Sequence, residues 1–191
     1  MVDSAYKLVY RFINKVLGVK GNVIKVKFKV GNRSFKAYVP DDEYWGSIKD
    51  ILLSREYEYL LGFELSNLKD KVVIYARAHV GLYFLVASTY ARKVIAIEPH
   101  PVNYRLLEIN ILMNNASNIV PINAALVGKN SGTVKIYEAS HSGAATIVSK
   151  TSSKYYEVPT ITLDKILKEH VRQGDAVLLK IDIEGAEFEV F

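Results

Sequence analysis

The distribution of apolar residues divides the chain into two parts with different patterns. Over residues 23–39, apolar side chains largely alternate with lysines around a Gly31-Asn32 turn signal. This alternation predicts a half-exposed antiparallel hairpin. An amphipathic helix over 4–17 is predicted before it, and a mostly helical segment over 43–63 after it. We therefore expect a small N-terminal attachment of helix, hairpin and helix over residues 1–66.

From residue 71 onward, short apolar runs alternate with helical patterns. "KVVIYA", "KVIAIE", "NIVPINAALV" and "DAVLLKIDI" are typical of buried strands, and "GTVKIYEA" and "YYEVPTITL" are also strand-like. "VGLYFLVASTYA", "PVNYRLLEINILMNN" and "TLDKILKEHV" predict helices, the last one capped by Thr162 or its neighbour. The second helix is expected to pack through one apolar face, formed by Val102, Leu106, Ile109 and Met113. This order predicts an α/β domain over 67–191 with a mostly parallel, doubly wound sheet.

Composition narrows the class of protein. Half of the 191 residues are apolar, and the lack of cysteine excludes disulfides and cysteine-ligated metal centres. No apolar run is long enough to span a membrane, and residues 1–18 lack the apolar stretch of a signal peptide, so we expect a cytoplasmic protein without a membrane span. The net charge of +5 is typical of an ordinary solvated surface, so we do not expect nucleic acid as a partner. The lysine-rich hairpin leaves one alternative, a basic module that binds nucleic acid.

A candidate ligand site follows from the predicted sheet, because parallel sheets bind ligands at the carboxyl ends of their strands. Glu98 ends the second strand, 17 residues after Gly81. A carboxylate at this point can accept hydrogen bonds from both hydroxyls of a ribose. The alternative is an ordinary solvated carboxylate at a strand end. Gly81 itself would allow close approach of the backbone to a ligand and of the helix to the strand.

Acidic residues also follow the last predicted strand. Asp182 should face the same crevice as Glu98, where it could act as a general base on a hydroxyl or hold a substrate or a metal. Glu184 and Glu187 have a second interpretation, since acidic residues favour a helix N-terminus. Lys180 lies within an apolar strand and needs a partner, for which a nearby carboxylate is the obvious candidate.

The sequence assigns no single role to two other groups of polar residues. The histidines near the crevice lack metal-ligand spacing, so no metal is predicted; these are His79, His100 and His141. Residues 140–146, "SHSGAAT", are either a substrate loop or an ordinary connection.

Several of these segments, in this order, resemble the FkbM family of S-adenosylmethionine-dependent methyltransferases. They are "VIAIEPHPVNYRLLEINILMNN", "INAALVGKNSGTVKIYEA", "SGAATI", "VPTITLDKIL" and "LLKIDIEGAEFEV". The resemblance implies a Rossmann-like class I methyltransferase fold with S-adenosylmethionine as methyl donor. It also implies O-methylation of an acceptor hydroxyl on a small molecule, sugar or lipid.

The resemblance further implies roles for individual residues. Glu98 would bind the donor's ribose, and Asn123 and Ala124 would lie near its adenine. His79 and Gly81 would belong to the loop under the methionine portion. The catalytic candidates are Asp182, which would also face the transferring methyl group, and Glu184.

The first turn departs from the family's usual Asp-x-Gly-Ala-Asn-x-Gly. Tyr75 replaces the acid, Arg77 the first glycine and His79 the asparagine. The loss of the first glycine and the loss of the acid are each expected to weaken donor binding by about 1–3 kcal/mol if they leave ligand groups unpaired. A catalytically impaired, methyltransferase-like protein that acts as a partner or binding subunit is therefore the alternative function.

The end of the chain is a second departure. The sequence stops at Phe191, just after "EGAE", whereas the family continues with a further helix and strands. We therefore expect a domain that is incomplete at its C-terminus, with an open sheet edge. A homo-oligomer or another partner would cover such an edge.

Overall fold

A computed structural model describes most of the second part of the chain and the hairpin of the first. The described residues are 23–40, 65–129, 131–137, 154–181, Ile183 and Val190. Several predictions lie outside them: the segments 4–17, 43–63 and 140–146, and the residues Asp182, Glu184 and Glu187.

The predicted hairpin is confirmed. Strands β1 (Val23–Val30) and β2 (Arg33–Pro40) pair in antiparallel register around Gly31, which has a φ of 56°. One face is apolar and carries the stacked rings of Phe28 and Phe35, whose centroids are 5.2 Å apart. The opposite face carries lysines, as the alternation requires: Lys25, Lys27, Lys29 and Lys36.

A parallel sheet forms the centre of the described structure. Its strands are β3 (Val72–Ala76), β4 (Lys93–Ile97), β5 (Ile119–Ile122) and β9 (Val177–Ile181), in the order β5-β4-β3-β9. A short 3₁₀ helix, Leu65–Leu68, precedes β3. All five side chains of β3 are buried, because the strand is covered on both faces.

The two faces of the sheet form separate hydrophobic cores. Helices α1 (Leu82–Ala87) and α2 (Pro101–Met113) pack on one face together with the hairpin. Helix α3 (Leu163–His170) packs on the other, and the Thr162 hydroxyl caps it by accepting a hydrogen bond from the Lys165 backbone N–H. The α/β, doubly wound arrangement is therefore as predicted.

A second, three-stranded sheet has the order β6-β8-β7. It consists of β6 (Ala125–Leu126), β7 (Thr133–Tyr137) and β8 (Tyr155–Ile161), with β6 parallel and β7 antiparallel to β8. The prediction of one strand in "NIVPINAALV" was wrong, because this segment supplies β5 to one sheet and β6 to the other. The break falls at Asn123, whose side chain binds the backbone carbonyls of Glu98 and Pro99.

The two helices before β5 also differ from their predictions. Helix α1 is shorter than "VGLYFLVASTYA", since it gives way to turns at Ser88 and Thr89, whose hydroxyls donate to carbonyls of the last helical turn. Of the predicted apolar face of α2, Leu106 is buried and Ile109 packs partly buried against the same core, whereas Val102 and Met113 are partly buried outside that core. The buried side chains are Asn103, Leu106, Leu107, Asn110 and Ile111. Asparagines can occupy this face because the hairpin supplies backbone partners to Asn110.

Candidate active site

The candidate site lies where the order of the strands reverses. From β3 the chain continues through α1 to β4 and through α2 to β5, and it later returns to the other side of β3 as β9. At such a switch point the loops at the carboxyl ends of neighbouring strands separate and leave a crevice. Here the carboxyl ends of the strands carry the turn after β3 and Glu98 after β4, and β9 ends beside them at Ile181.

Glu98 is held at this edge by backbone N–H groups. His79 N donates to Glu98 Oε2 at 2.7 Å, and His100 N donates to Glu98 Oε1 at 2.9 Å. The residue is only 2% exposed. Burial raises the pKa of the Glu98 carboxyl above its ordinary value, and the positive charges of His79 and Arg77 and the two backbone hydrogen bonds oppose that rise. The interpretation of Glu98 as a solvated carboxylate was therefore wrong.

The turn after β3 wraps around this carboxylate. Arg77 N and Ala78 N both donate to the Ile97 carbonyl at 2.8 Å, which ties the turn to the end of β4. Arg77, His79 and Gly81 have φ values of 73°, 53° and 84°. Two of these left-handed positions are those where the family carries glycine. The chain thus keeps the backbone shape of a glycine-rich turn although Arg77 replaces one of its glycines.

Gly81 allows the turn to pack tightly against α2. A Cβ at this position would collide with the side chain of Leu107, which is completely buried. The glycine therefore serves packing between the turn and a helix, in addition to any role beneath a ligand.

Asn123 and Ala124 follow β5 at the same edge of the sheet. The Asn123 side-chain amide donates to the carbonyls of Glu98 at 2.8 Å and Pro99 at 3.2 Å. Ala124 is buried in the core on the α3 face. The structure thus brings Asn123 directly onto the backbone of Glu98, and His79 onto its carboxylate.

Tyr75 and Lys180 form a pair between neighbouring strands. They lie opposite each other in the register of β3 and β9, the Lys180 ammonium donates to the Tyr75 hydroxyl, and its Nζ is 4.1 Å from the ring centroid. The Tyr75 ring packs edge-on against Phe84 with centroids 4.5 Å apart. The described partner of Lys180 is therefore a tyrosine, at the position where the family usually carries an acid. The expected carboxylate partner stays a prediction.

The catalytic candidates after β9 stay predictions. Ile181, the last residue of β9, pairs with Ala76, the last residue of β3. Asp182 is the next residue in the chain. The positions of its side chain and of Glu184 lie outside the described residues.

Sequence reasoning missed the contribution of α2 to this site. Leu107 packs under Gly81, and the Asn110 side chain donates to the Val80 carbonyl at 2.8 Å. One signal could have indicated it: Asn110 and Asn114 are four residues apart in an apolar helix and hence on one side of it. Paired amides on a packed face indicate backbone partners.

Comparison with known proteins agrees with the resemblance seen in the sequence. Residues 76–191 match the methyltransferase FkbM domain, so the chain belongs to this family. It is 27% identical over 161 residues to methyltransferase sdnD of Sordaria araneosa, with 67% of this chain covered. The chain spans 62% of the length of that relative. Methyltransferases of this family use S-adenosylmethionine as methyl donor.

Solved structures give a weaker likeness. Trm5b of Pyrococcus abyssi is 18% identical with a TM-score of 0.35, over 63% of this chain and 42% of that one. M. jannaschii TYW2 in complex with AdoMet is 18% identical with a TM-score of 0.35, over 59% of this chain and 54% of that one. At these scores the likeness supports no argument about this chain.

The residues around Glu98 fit the ribose of the donor in their chemistry. A carboxylate offers about four lone-pair positions, and the two described backbone hydrogen bonds use two of them. The remaining positions match two ribose hydroxyls. Since Glu98 is 2% exposed, a covering group has to move before a ribose reaches it. Arg77 and His79 belong to the turn beside Glu98 and lie close enough for their charges to influence its pKa.

Replacing Gly81 by alanine should destabilise the protein more than the same change at Gly174. Both glycines have φ near 85°, at 84° and 88°, but an added Cβ at Gly174 meets nothing within 4 Å. We expect a loss of about 1 kcal/mol in the free energy of unfolding for Gly174→Ala, and about 2–4 kcal/mol for Gly81→Ala because Leu107 must also be displaced. Chemical denaturation measures both, and equal losses would contradict the tight packing.

Arg77→Gly should stabilise the protein, and by an amount that depends on pH. Relief of the left-handed φ should add about 1 kcal/mol to the free energy of unfolding at a pH where Glu98 is protonated. At higher pH the gain should shrink, because Arg77 lowers the pKa of Glu98 by favouring its ionised form.

Asn115→Gly is the matched control for this substitution. Asn115 is neutral and has a φ of 52°. Asn115→Gly should add less to the free energy of unfolding than Arg77→Gly does. This increase should not vary with pH, since asparagine does not titrate. Denaturation at several pH values tests both variants, and a pH-independent effect of Arg77→Gly would contradict the coupling to Glu98.

Proposed function

We propose that this chain belongs to an enzyme that transfers the methyl group of S-adenosylmethionine to a hydroxyl of a small-molecule, sugar or lipid acceptor. The observation that carries the proposal is the position of the Glu98 carboxylate. It lies at the carboxyl edge of a parallel sheet, next to the strand-order reversal, and is held by the turn that follows β3. The family match and the methyltransferase relative support the same reaction class.

In this proposal each border of the crevice holds a different part of the donor. Glu98 accepts hydrogen bonds from the ribose, and Asn123 and Ala124 lie beside the adenine. The turn containing His79 and Gly81 lies under the methionine portion. The donor supplies a methyl group on a positively charged sulfur, which makes that carbon electrophilic. Fixing donor and acceptor in line is the main contribution that a protein can make to such a transfer.

The acceptor side of the proposal rests on Asp182 and Glu184. Asp182 is the residue after Ile181, which ends the strand that pairs with β3. A carboxylate there can orient the acceptor hydroxyl and take up its proton as the oxygen attacks. Glu184 is a second candidate for this role.

The proposal also includes where the enzyme is located and what covers the edge of its sheet. In the part of the chain that the structure describes, no helix is long and apolar enough to cross a membrane. We propose a cytoplasmic enzyme, with a second copy or another partner along β9. In the described ranges, β9 pairs with β3 on one side only.

Binding of S-adenosylmethionine should depend on Glu98. Glu98→Gln removes one carboxylate oxygen and introduces an amide N–H beside two backbone donors, so donor affinity measured by calorimetry should fall about tenfold or more. Glu169→Gln is a control, because Glu169 is exposed on α3. Lack of donor binding by the unaltered chain at millimolar concentration would contradict the proposal and favour the impaired, methyltransferase-like alternative.

Donor affinity should also rise with pH. The ribose hydroxyls donate hydrogen bonds, which the ionised Glu98 carboxylate accepts better than its protonated form. Burial raises the pKa of Glu98, so affinity should increase as the pH rises from below the ordinary range of a glutamate through this raised value. Calorimetric titrations over this range measure the effect. The pH-dependence should disappear in Glu98→Gln, and its persistence there would assign it to another group.

A further inference from the structure

We propose that Asn110 is a positioning residue that couples the N-terminal hairpin to the donor-binding turn. The proposal rests on the proposed function for the identity of the ligand. It adds that docking of the hairpin, a segment outside the matched family region, helps to set the shape of the turn and thereby the affinity for the donor.

The Asn110 side chain has three hydrogen-bond partners in two separate segments. Its Oδ1 accepts from Tyr38 N at 2.7 Å, and its Nδ2 donates to the Tyr38 carbonyl at 3.0 Å. The same Nδ2 donates to the Val80 carbonyl at 2.8 Å. The residue is completely buried, so water cannot replace a partner that moves away. A single amide thus joins β2, α2 and the turn.

The bond to Val80 lies at the centre of the turn. His79, the preceding residue, donates its backbone N–H to Glu98, and Gly81, the following residue, packs on Leu107. The three consecutive residues are therefore fixed by a carboxylate, an amide and a leucine side chain. If Asn110 moves, the peptide group between Val80 and Gly81 loses its hydrogen bond. The backbone of the neighbouring His79, whose N–H holds Glu98, is then no longer fixed from that side.

The hairpin side of the coupling is equally specific. The Asn110 side chain forms hydrogen bonds with both the backbone N–H and the backbone carbonyl of Tyr38, as a neighbouring strand would. One helical turn later, Asn114 makes the same pair of bonds to Lys36, at 3.0 Å to the N–H and 2.6 Å to the carbonyl. The third bond of Asn114 goes to the carbonyl of Asn110 in its own helix, at 2.7 Å. The two asparagines thus bind the hairpin alike, but only the bond made by Asn110 extends to the turn.

This difference provides a matched pair of variants. Asn110→Ala removes the bonds to the hairpin and to Val80, whereas Asn114→Ala removes bonds to the hairpin and within α2. Hydrogen exchange at the His79 amide reports on the turn without any ligand. We expect exchange there to become about tenfold faster or more in Asn110→Ala and to change by less than about twofold in Asn114→Ala. An equal change in both variants, or none in Asn110→Ala, would overturn the proposal.

A measurement on the unaltered chain decides the matter if Asn110→Ala does not fold. Coupling is reciprocal, so a donor that orders the turn must also order the part of the hairpin that is joined to it. Saturating S-adenosylmethionine should slow exchange at the Tyr38 amide, which Asn110 holds, more than at the Lys36 amide, which Asn114 holds. Equal protection of both amides, or protection of neither while calorimetry shows binding, would overturn the coupling.

The outcomes for the donor and for the coupling are distinguishable. If calorimetry shows no binding of S-adenosylmethionine, the proposed function fails, and the ligand-free comparison of the two variants still tests the coupling. If binding is present, donor affinity should fall about tenfold or more in Asn110→Ala and remain within about twofold in Asn114→Ala. A loss of affinity without faster exchange at His79 would contradict the role of the turn.

Discussion

The described structure depends on how one buried carboxylate is kept in place. An ionised group without partners in an apolar interior is strongly unfavourable, so Glu98 requires donors that do not move away. The backbone N–H groups of His79 and His100 provide them, one from the turn after β3 and one from the start of α2. The same carboxylate that would bind a ribose therefore also fixes the two segments that border the ligand crevice.

This constraint explains how the turn keeps its shape with an unusual sequence. Arg77 and His79 adopt left-handed backbone conformations that are unfavourable for their residue types. Hydrogen bonds from the turn to Ile97 and Glu98, packing of Gly81 on Leu107 and the bond from Asn110 to Val80 offset that strain. Strained conformations that are held from several sides are characteristic of ligand-binding sites. The turn therefore holds a left-handed backbone conformation at Arg77 although this residue is not a glycine.

Much of the fold could be predicted from periodicity, because buried strands and the hairpin have patterns that few other structures share. The position of Glu98 followed from the same patterns, since a strand end is easy to locate. The break at Asn123 and the buried face of α2 could not be predicted in this way. Both depend on polar side chains that bind the backbone of distant segments, and hydrophobic periodicity contains no information about such partners. The replacement of an acid by Tyr75 was visible in the sequence, but its pairing with Lys180 required the register of β3 and β9.

The most direct test of this account is an experimental structure of the chain with S-adenosylhomocysteine, the product of methyl transfer. The account predicts that both ribose hydroxyls lie within hydrogen-bond distance of the Glu98 carboxylate, with the Arg77 side chain displaced from its ligand-free position. A bound nucleoside at another edge of the sheet, or a carboxylate that stays covered by the turn while the ligand is bound, would contradict it.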